Sequence, residues 1–159
     1  MMIRDATSMD ARGIGAVLKE CYNIASVEEG VLVFNSETAK GHHYIVAEDN
    51  GKIVGLTTWL MHGLFRHQLC ELDRIAVLAD YRGKGAAKAL FDALVVSADA
   101  FYKKHGFKLR KLYLLTHADN LQAQRFYEKM GFSHETTLKS HYYDGKDEFV
   151  YSRFFRSFL

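Results

Sequence analysis

Between residues 68 and 116 the pattern of apolar residues changes period twice. Residues 68–78, QLCELDRIAVL, read as a strand. A turn with Gly83 and Gly85 follows. Then Ala87, Leu90, Phe91, Leu94, Val95, Ala98, Phe101 and Tyr102 recur at helical spacing. Lys103, Lys104 and His105 fall in the last turn and Gly106 ends it, as helix-dipole and cap chemistry favour. KLYLLT, residues 111–116, returns to strand composition. A strand, a long helix and a second strand close as a crossover that lays the two strands parallel.

The flanking segments add antiparallel pieces. MIRDAT reads as a first strand. Thr7 or Ser8 caps a helix running to about Tyr22, with Thr7 and Asp10 at capping-box spacing. Residues 23–41 read as irregular, with room for a second short helix. HHYIVAEDNGKIVGLTTWL places two β-rich runs around Asn50-Gly51, the strongest short hairpin signal. NLQAQRFYEKMGF is a helix stopped by Gly131. SHETTLKSHYY, DGK and DEFVYSRFF form a closing hairpin. The order is β-α-(α)-β-β-β-α-β-α-β-β, a mixed α/β sheet with helices on both faces. The 159 residues, with no linker or repeat, predict one domain over 1–159.

The remaining composition mainly excludes. A net charge of +2 argues for neither nucleic-acid nor membrane binding. The basic run Lys103, Lys104, Lys108, Arg110, Lys111 reads as a solvated face. Cys21 and Cys70 make neither a disulfide framework nor a zinc site. None of the eight histidines has metal-ligand spacing, so no metal is expected. The start lacks a signal-peptide core and no run spans a membrane, so the expected location is the cytoplasm.

The glycine turn carries the first chemical signal. It is not a P-loop, because Ala86 follows Gly85 where Lys and Ser or Thr are needed. It is not a dinucleotide fingerprint, because Lys88 stands at the third position counted from Gly83. What remains is R-x-x-G-x-A: Arg82, Gly85 and Ala87, after a strand and before a helix. Free N–H groups at a helix start attract anions, and Gly83 and Gly85 let the backbone approach a phosphate. Arg82 and Lys84 add charge. A pyrophosphate fits such a site.

Residues 120–132 carry a second pattern, N-x-x-A-x-x-F-Y-x-x-x-G-F, from Asn120, Ala123, Phe126, Tyr127, Gly131 and Phe132. With the first motif at its distance upstream, the chain resembles the GNAT superfamily of acyl-CoA-dependent N-acetyltransferases. The resemblance implies a mainly antiparallel sheet with a splayed parallel pair in the middle, formed by the strands ending at Val77 and near Thr116. It implies that backbone groups of Ile75, Ala76 and Val77 pair with the pantetheine arm of acetyl-CoA. It implies that Arg82, Gly83, Lys84, Gly85, Ala86 and Ala87 hold the pyrophosphate and that Asn120 bonds to the pantetheine. The chain departs from the family in having Ala79-Asp80 where many relatives carry Pro, and Ala86-Ala87 where many carry Ile-Gly.

Acetyl transfer to an amine needs a base, an oxyanion donor and a proton for the thiolate. Glu71 and Asp73, at i and i+2 of one strand, share a face, and either serves as the base in this reading. A backbone N–H at Ala76 or Val77 is the expected oxyanion donor. Tyr127, by the resemblance, is the acid. Cys70 alternates away from Glu71 and reads as core. Glu28, Glu29, Glu37, Asp144, Asp147 and Glu148 offer an acidic rim, and His62 and Trp59 further lining. The expected acceptor is a small cationic amine or a peptide N-terminus. The aromatic end FVYSRFFRSFL offers a surface for a homodimer. The competing reading is a non-catalytic acyl-CoA sensor.

Overall fold

The computed structural model describes residues 1–155. The last four residues of FVYSRFFRSFL, and with them part of the surface assigned to dimerisation, lie outside the described residues. The chain runs β1 Met2–Asp5, α1 Ala11–Cys21, α2 Val27–Ala39, β2 His43–Asp49, β3 Lys52–His62, β4 Leu69–Val77, α3 Ala86–Lys103, β5 Lys111–His117, α4 Leu121–Lys129, β6 Ser133–Tyr143 and β7 Lys146–Phe154. The seven strands form one sheet in the order β1-β2-β3-β4-β5-β7-β6, antiparallel except for β4 and β5. No helix among the described residues is long and apolar enough to cross a membrane.

The element order agrees with the sequence reading, and α2 corrects it. The thirteen residues of α2 occupy a stretch read as mostly irregular. Its start carries a local signal in Ser26, the N-cap, and Glu29 three residues on. The Ser26 hydroxyl accepts from the Glu29 N–H at 3.0 Å, and the Glu29 carboxylate accepts from the Ala25 N–H at 2.8 Å. What hid α2 is its weak amphipathicity. It packs on α1 through Gly15 and Gly30, where a Cβ on Gly30 would stand 2.6 Å from the Gly15 Cα.

Alternation along β3 separates the two faces. Trp59, fully buried, donates its indole N–H to Ser97 of α3 at 3.1 Å. The next residue back, Thr58, faces the other way, on the side where cross-strand Tyr44 donates to Glu37 of α2. Trp59 is therefore part of the core beneath α3, on the opposite face from Thr58, and there borders a cavity together with His43, Ser97 and Phe101. Helices α1 and α2 cover one face, here the front, and α3 the back. Ile14, Val17 and Leu18 fill the front layer, and Leu90, Phe91 and Leu94 the back. Burying such side chains stabilises by ~1.5–3 kcal/mol each and holds the strands in register.

Candidate active site

The two parallel strands part company midway. β4 pairs with β5 only at Leu69–Lys111, Cys70–Leu112 and Glu71–Tyr113, although both strands continue to Val77 and His117. The cause is a bulge. Thr58 opposes Arg74 and Trp59 opposes Leu72, so Asp73 is an extra residue in β4. A bulge bends its strand and raises the local twist. Beyond Glu71 the strands diverge and leave a gap.

Backbone direction decides what that gap presents. Leu78 donates its N–H to Val54 of β3 at 2.8 Å. Bonded and non-bonded pairs alternate in an antiparallel ladder, so Leu56–Ala76 is also a bonded pair. Ile75 and Val77 therefore turn their N–H and C=O groups into the gap, and Ala76 turns its own toward β3. This corrects the expectation for Ala76, whose N–H is committed to the ladder and serves neither a strand-like arm nor an oxyanion. Three side chains reach the gap's carbonyls, one of them the Cys21 thiol, which donates to the Val77 carbonyl at 3.7 Å. Tyr22 donates its hydroxyl to the Ile75 carbonyl at 3.3 Å, and Arg82 donates Nε–H to the Val77 carbonyl at 2.9 Å.

At the open end of the gap lies the glycine turn. Gly83 and Gly85 have φ of +77° and +82°, the left-handed region that favours glycine, and the space where each would carry a Cβ is empty. Gly85 is the N-cap of α3 and supplies no side-chain acceptor, so the first N–H groups of α3 remain available. Ala86 is buried and Ala87 packs against the core. The Lys84 ammonium stands over the Tyr81 ring at 5.4 Å. Arg82, read from sequence as an arm toward the anion, instead turns its Nε back to brace the end of β4.

Glu71 sits where the strands separate. Its Oε1 is bonded to His62 Nε2 at 2.8 Å and accepts from the Tyr113 hydroxyl at 3.2 Å. Burial, aided by Glu71, raises the Tyr113 hydroxyl well above its ordinary range, so it stays a donor. Asp73 lies at the bulge, 3.5 Å from His42 Nε2. Burial pushes its carboxyl up, with Glu37 and Glu71 adding, against the pull of Arg74. Arg74 bonds Glu37 at 2.9 Å and lies under the Tyr22 ring at 4.9 Å. Glu37, His42 and Asp73 approach within 4.8 Å of one another, and Arg74 is the cation beside them. Glu71 and Asp73 share the front face as expected, each with a histidine.

Tyr127 is buried among Phe126 and Phe132, and burial pushes its hydroxyl up to about 12. Among the described residues it has no hydrogen-bond partner. Asn120 caps α4, its Oδ1 accepting from the Ala123 N–H at 3.1 Å, which leaves its amide N–H groups to donate elsewhere. The acidic rim largely dissolves. Glu28 pairs with Arg12, Glu29 caps α2, Glu37 is bound to Arg74, and Asp147 accepts from Ser140 N–H and Lys139. Glu148 is buried and paired with His117.

The closing hairpin, whose Tyr142-Tyr143 pair the sequence resemblance already sets near an acceptor, departs from regular pairing. Pairing of β6 with β7 slips between Leu138 and Tyr143, where Ser140 has φ of +45°. The slip leaves Tyr142 outside the regular pairing. Tyr142 is largely exposed, and its hydroxyl is raised by partial desolvation and by the negative charge of Glu71, Glu148 and Asp73. The double tyrosine before Asp144-Gly145 was the visible signal.

A family model described as the acetyltransferase (GNAT) family matches residues 11–132. An N-alpha-acetyltransferase of Saccharolobus solfataricus is 35% identical over 79 residues, which are 50% of this chain and 44% of that protein. The chain thus spans less than half the length of that relative. Among solved structures, the ribosomal-protein-S18-alanine N-acetyltransferase of Escherichia coli superposes with a TM-score of 0.78 at 20% identity, over 99% of this chain and 96% of that one. A spermidine N-acetyltransferase of Vibrio cholerae gives 0.75 at 20% identity, over 97% and 95%. At that identity the likeness shows the fold alone.

Proposed function

The chain belongs to the GNAT family of acetyltransferases, and on that premise we propose that it moves an acetyl group from acetyl-CoA to a primary amine by direct attack. The observation that carries the proposal is the gap between β4 and β5. It offers the backbone N–H groups of Ile75 and Val77, which no strand pairs, in line with an open helix N-terminus. An extended arm ending in a pyrophosphate matches that combination: strand-like donors and acceptors first, then N–H groups around Gly83 and Gly85. The empty Cβ positions of both glycines support the fit. Asn120 has amide donors to spare for the arm.

In this reading Glu71, fixed by His62 and Tyr113, takes a proton from the acceptor. Asp73 is the second candidate, and its raised carboxyl suits proton transfer nearer neutral pH. The Val77 N–H supports the developing oxyanion. Tyr127, protonated well above neutral pH, gives its proton to the departing thiolate. The acceptor approaches from the front, beside Tyr142.

A protein N-terminus and a polyamine are both acetylated by proteins of this fold, so the acceptor is a matter for assay. The test is acetyl-CoA-dependent thiol release with spermidine, aminoglycosides, amino acids and tripeptides bearing free N-termini. Release that requires one amine class identifies the acceptor. Acetyl-CoA binding without release from any of them, and with Tyr127→Phe indistinguishable from wild type, turns the reading into that of a sensor.

A further inference from the structure

Resting on the transferase reading, we propose that His117, held by Glu148, is a second proton acceptor of this site, distinct from Glu71. The starting point is an unusually buried carboxyl group. Glu148 is 2% exposed, and its carboxylate is bonded to His117 Nδ1. No lysine or arginine among the described residues bonds to it. An ionised carboxylate withdrawn from water costs several kcal/mol unless it is paired. Here its bonded partner is an imidazole whose side chain is 48% exposed. The carboxylate at Nδ1 fixes the ring's tautomer and direction and leaves Nε2 to act as an acceptor. A purely structural pair would be expected to bury both members.

Position supports the same role. His117 is the last residue of β5 and lies opposite Glu148 on β7. Tyr113 and His117 are four apart on one strand, so both face the front, as Glu71 does. Extending the Glu71–Tyr113 register by four residues, with Asp73 taken up by the bulge, sets His117 about level with Ala76. The gap is therefore flanked by Glu71 where it begins and by His117 where it opens, about 13 Å apart along the strand. A nitrogen attacking a carbonyl held midway lies about 6–7 Å along the strand from each, a span that a chain of two waters bridges.

The chemistry takes two protons from the nitrogen, at different steps. A primary ammonium must lose one proton before its lone pair can attack the thioester carbon. After attack, the C–N bond has formed and the nitrogen is again cationic. It loses a second proton as the C–S bond breaks and the thiolate leaves with the bonding electron pair. One proton restores the group that protonated the thiolate, and the other goes to solvent. Glu71 is covered by His62 and Tyr113. His117 is half in water, so it is the exit for the proton that leaves.

The experiment compares His117→Ala, Glu148→Gln and Glu71→Gln, with thiol release measured on spermidine and on the free-N-terminus tripeptides and acetyl-CoA binding measured separately. His117→Ala is expected to lower kcat about 100-fold, with acetyl-CoA affinity and circular dichroism unchanged. Added imidazole should restore at least tenfold of that loss in a saturable way. Glu148→Gln should give a smaller loss that imidazole does not relieve, because its ring is present but misdirected. A His117→Ala enzyme as fast as wild type, or slow but unrelieved by imidazole while folded and binding, overturns the proposal and leaves the transferase intact. Absence of turnover by the wild type on every acceptor, with acetyl-CoA bound, removes the transferase reading and this one with it.

Discussion

Tyr127 and Asp10 show how burial sets what a single side chain can do. For Tyr127, burial without a partner keeps the hydroxyl protonated far above neutral pH, a condition for an acid and a cost for a core residue. Tyr127→Phe is expected to leave acetyl-CoA affinity within about twofold and to lower kcat by roughly 100-fold, measured by calorimetric titration beside thiol release. Equal rates would remove it from the chemistry. For Asp10, Arg4 comes first: its guanidinium grips both carboxylate oxygens at 2.8 Å, and the carboxyl is lowered from 3.8 to about 2. A carboxyl lowered on folding contributes stability that is present above its unfolded value and lost as pH falls through the folded one. The pair should supply about 2 kcal/mol above pH 4 that fades between about 4 and 2. Urea unfolding of wild type and Asp10→Asn should differ at pH 6 and converge near pH 2.

Among the elements, the α1–α2 pair is the sharpest case of packing overruling local preference. Alanine is favoured over glycine inside a helix by ~1 kcal/mol. At Gly30 the new Cβ would meet the Gly15 Cα at 2.6 Å and its carbonyl oxygen at 2.7 Å, both backbone atoms that cannot swing aside. Gly30→Ala should therefore destabilise by about 1–3 kcal/mol. It should also lower activity more than a surface change, since α2 carries Glu37 onto Arg74 beside Asp73. A midpoint equal to or above wild type in denaturant would refute the close contact. The Asn50-Gly51 hairpin, the long α3 and the Gly131 stop were legible because each depends on neighbours within a few residues. α2 was not, because its glycine contact with α1 has no periodic trace. The acidic rim failed for a related reason: Glu29 caps its own helix, but Glu37 and Glu148 pair with residues 37 and 31 positions away.

At the level of the whole molecule, the sheet leaves unpaired backbone between β4 and β5 that a strand-like ligand would complete. Acetyl-CoA at 100 times its Kd should stabilise the fold by about 2.7 kcal/mol. For a chain of this size that raises Tm by roughly 5–10 °C, readable by scanning calorimetry. Placing an alanine at Gly85, whose φ of +82° disfavours any side chain, should shrink that shift. No shift at any ligand concentration would mean that the gap does not hold the cofactor.

The sequence by itself determined the order of elements, the parallel crossover, the glycine turn at a helix start and the positions of Glu71, Asp73 and Tyr127, because period, turn chemistry and motif spacing are local properties. Only the tertiary structure decided which backbone groups face the gap. The bulge at Asp73 and the Leu78–Val54 bond turn Ile75 and Val77 inward and Ala76 away, and both depend on β3, a strand some twenty residues upstream. It also decided which histidines attend which carboxylates. His62 reaches Glu71 and His117 reaches Glu148 across strands, and a side chain's partner across a sheet follows from register, which no single segment contains.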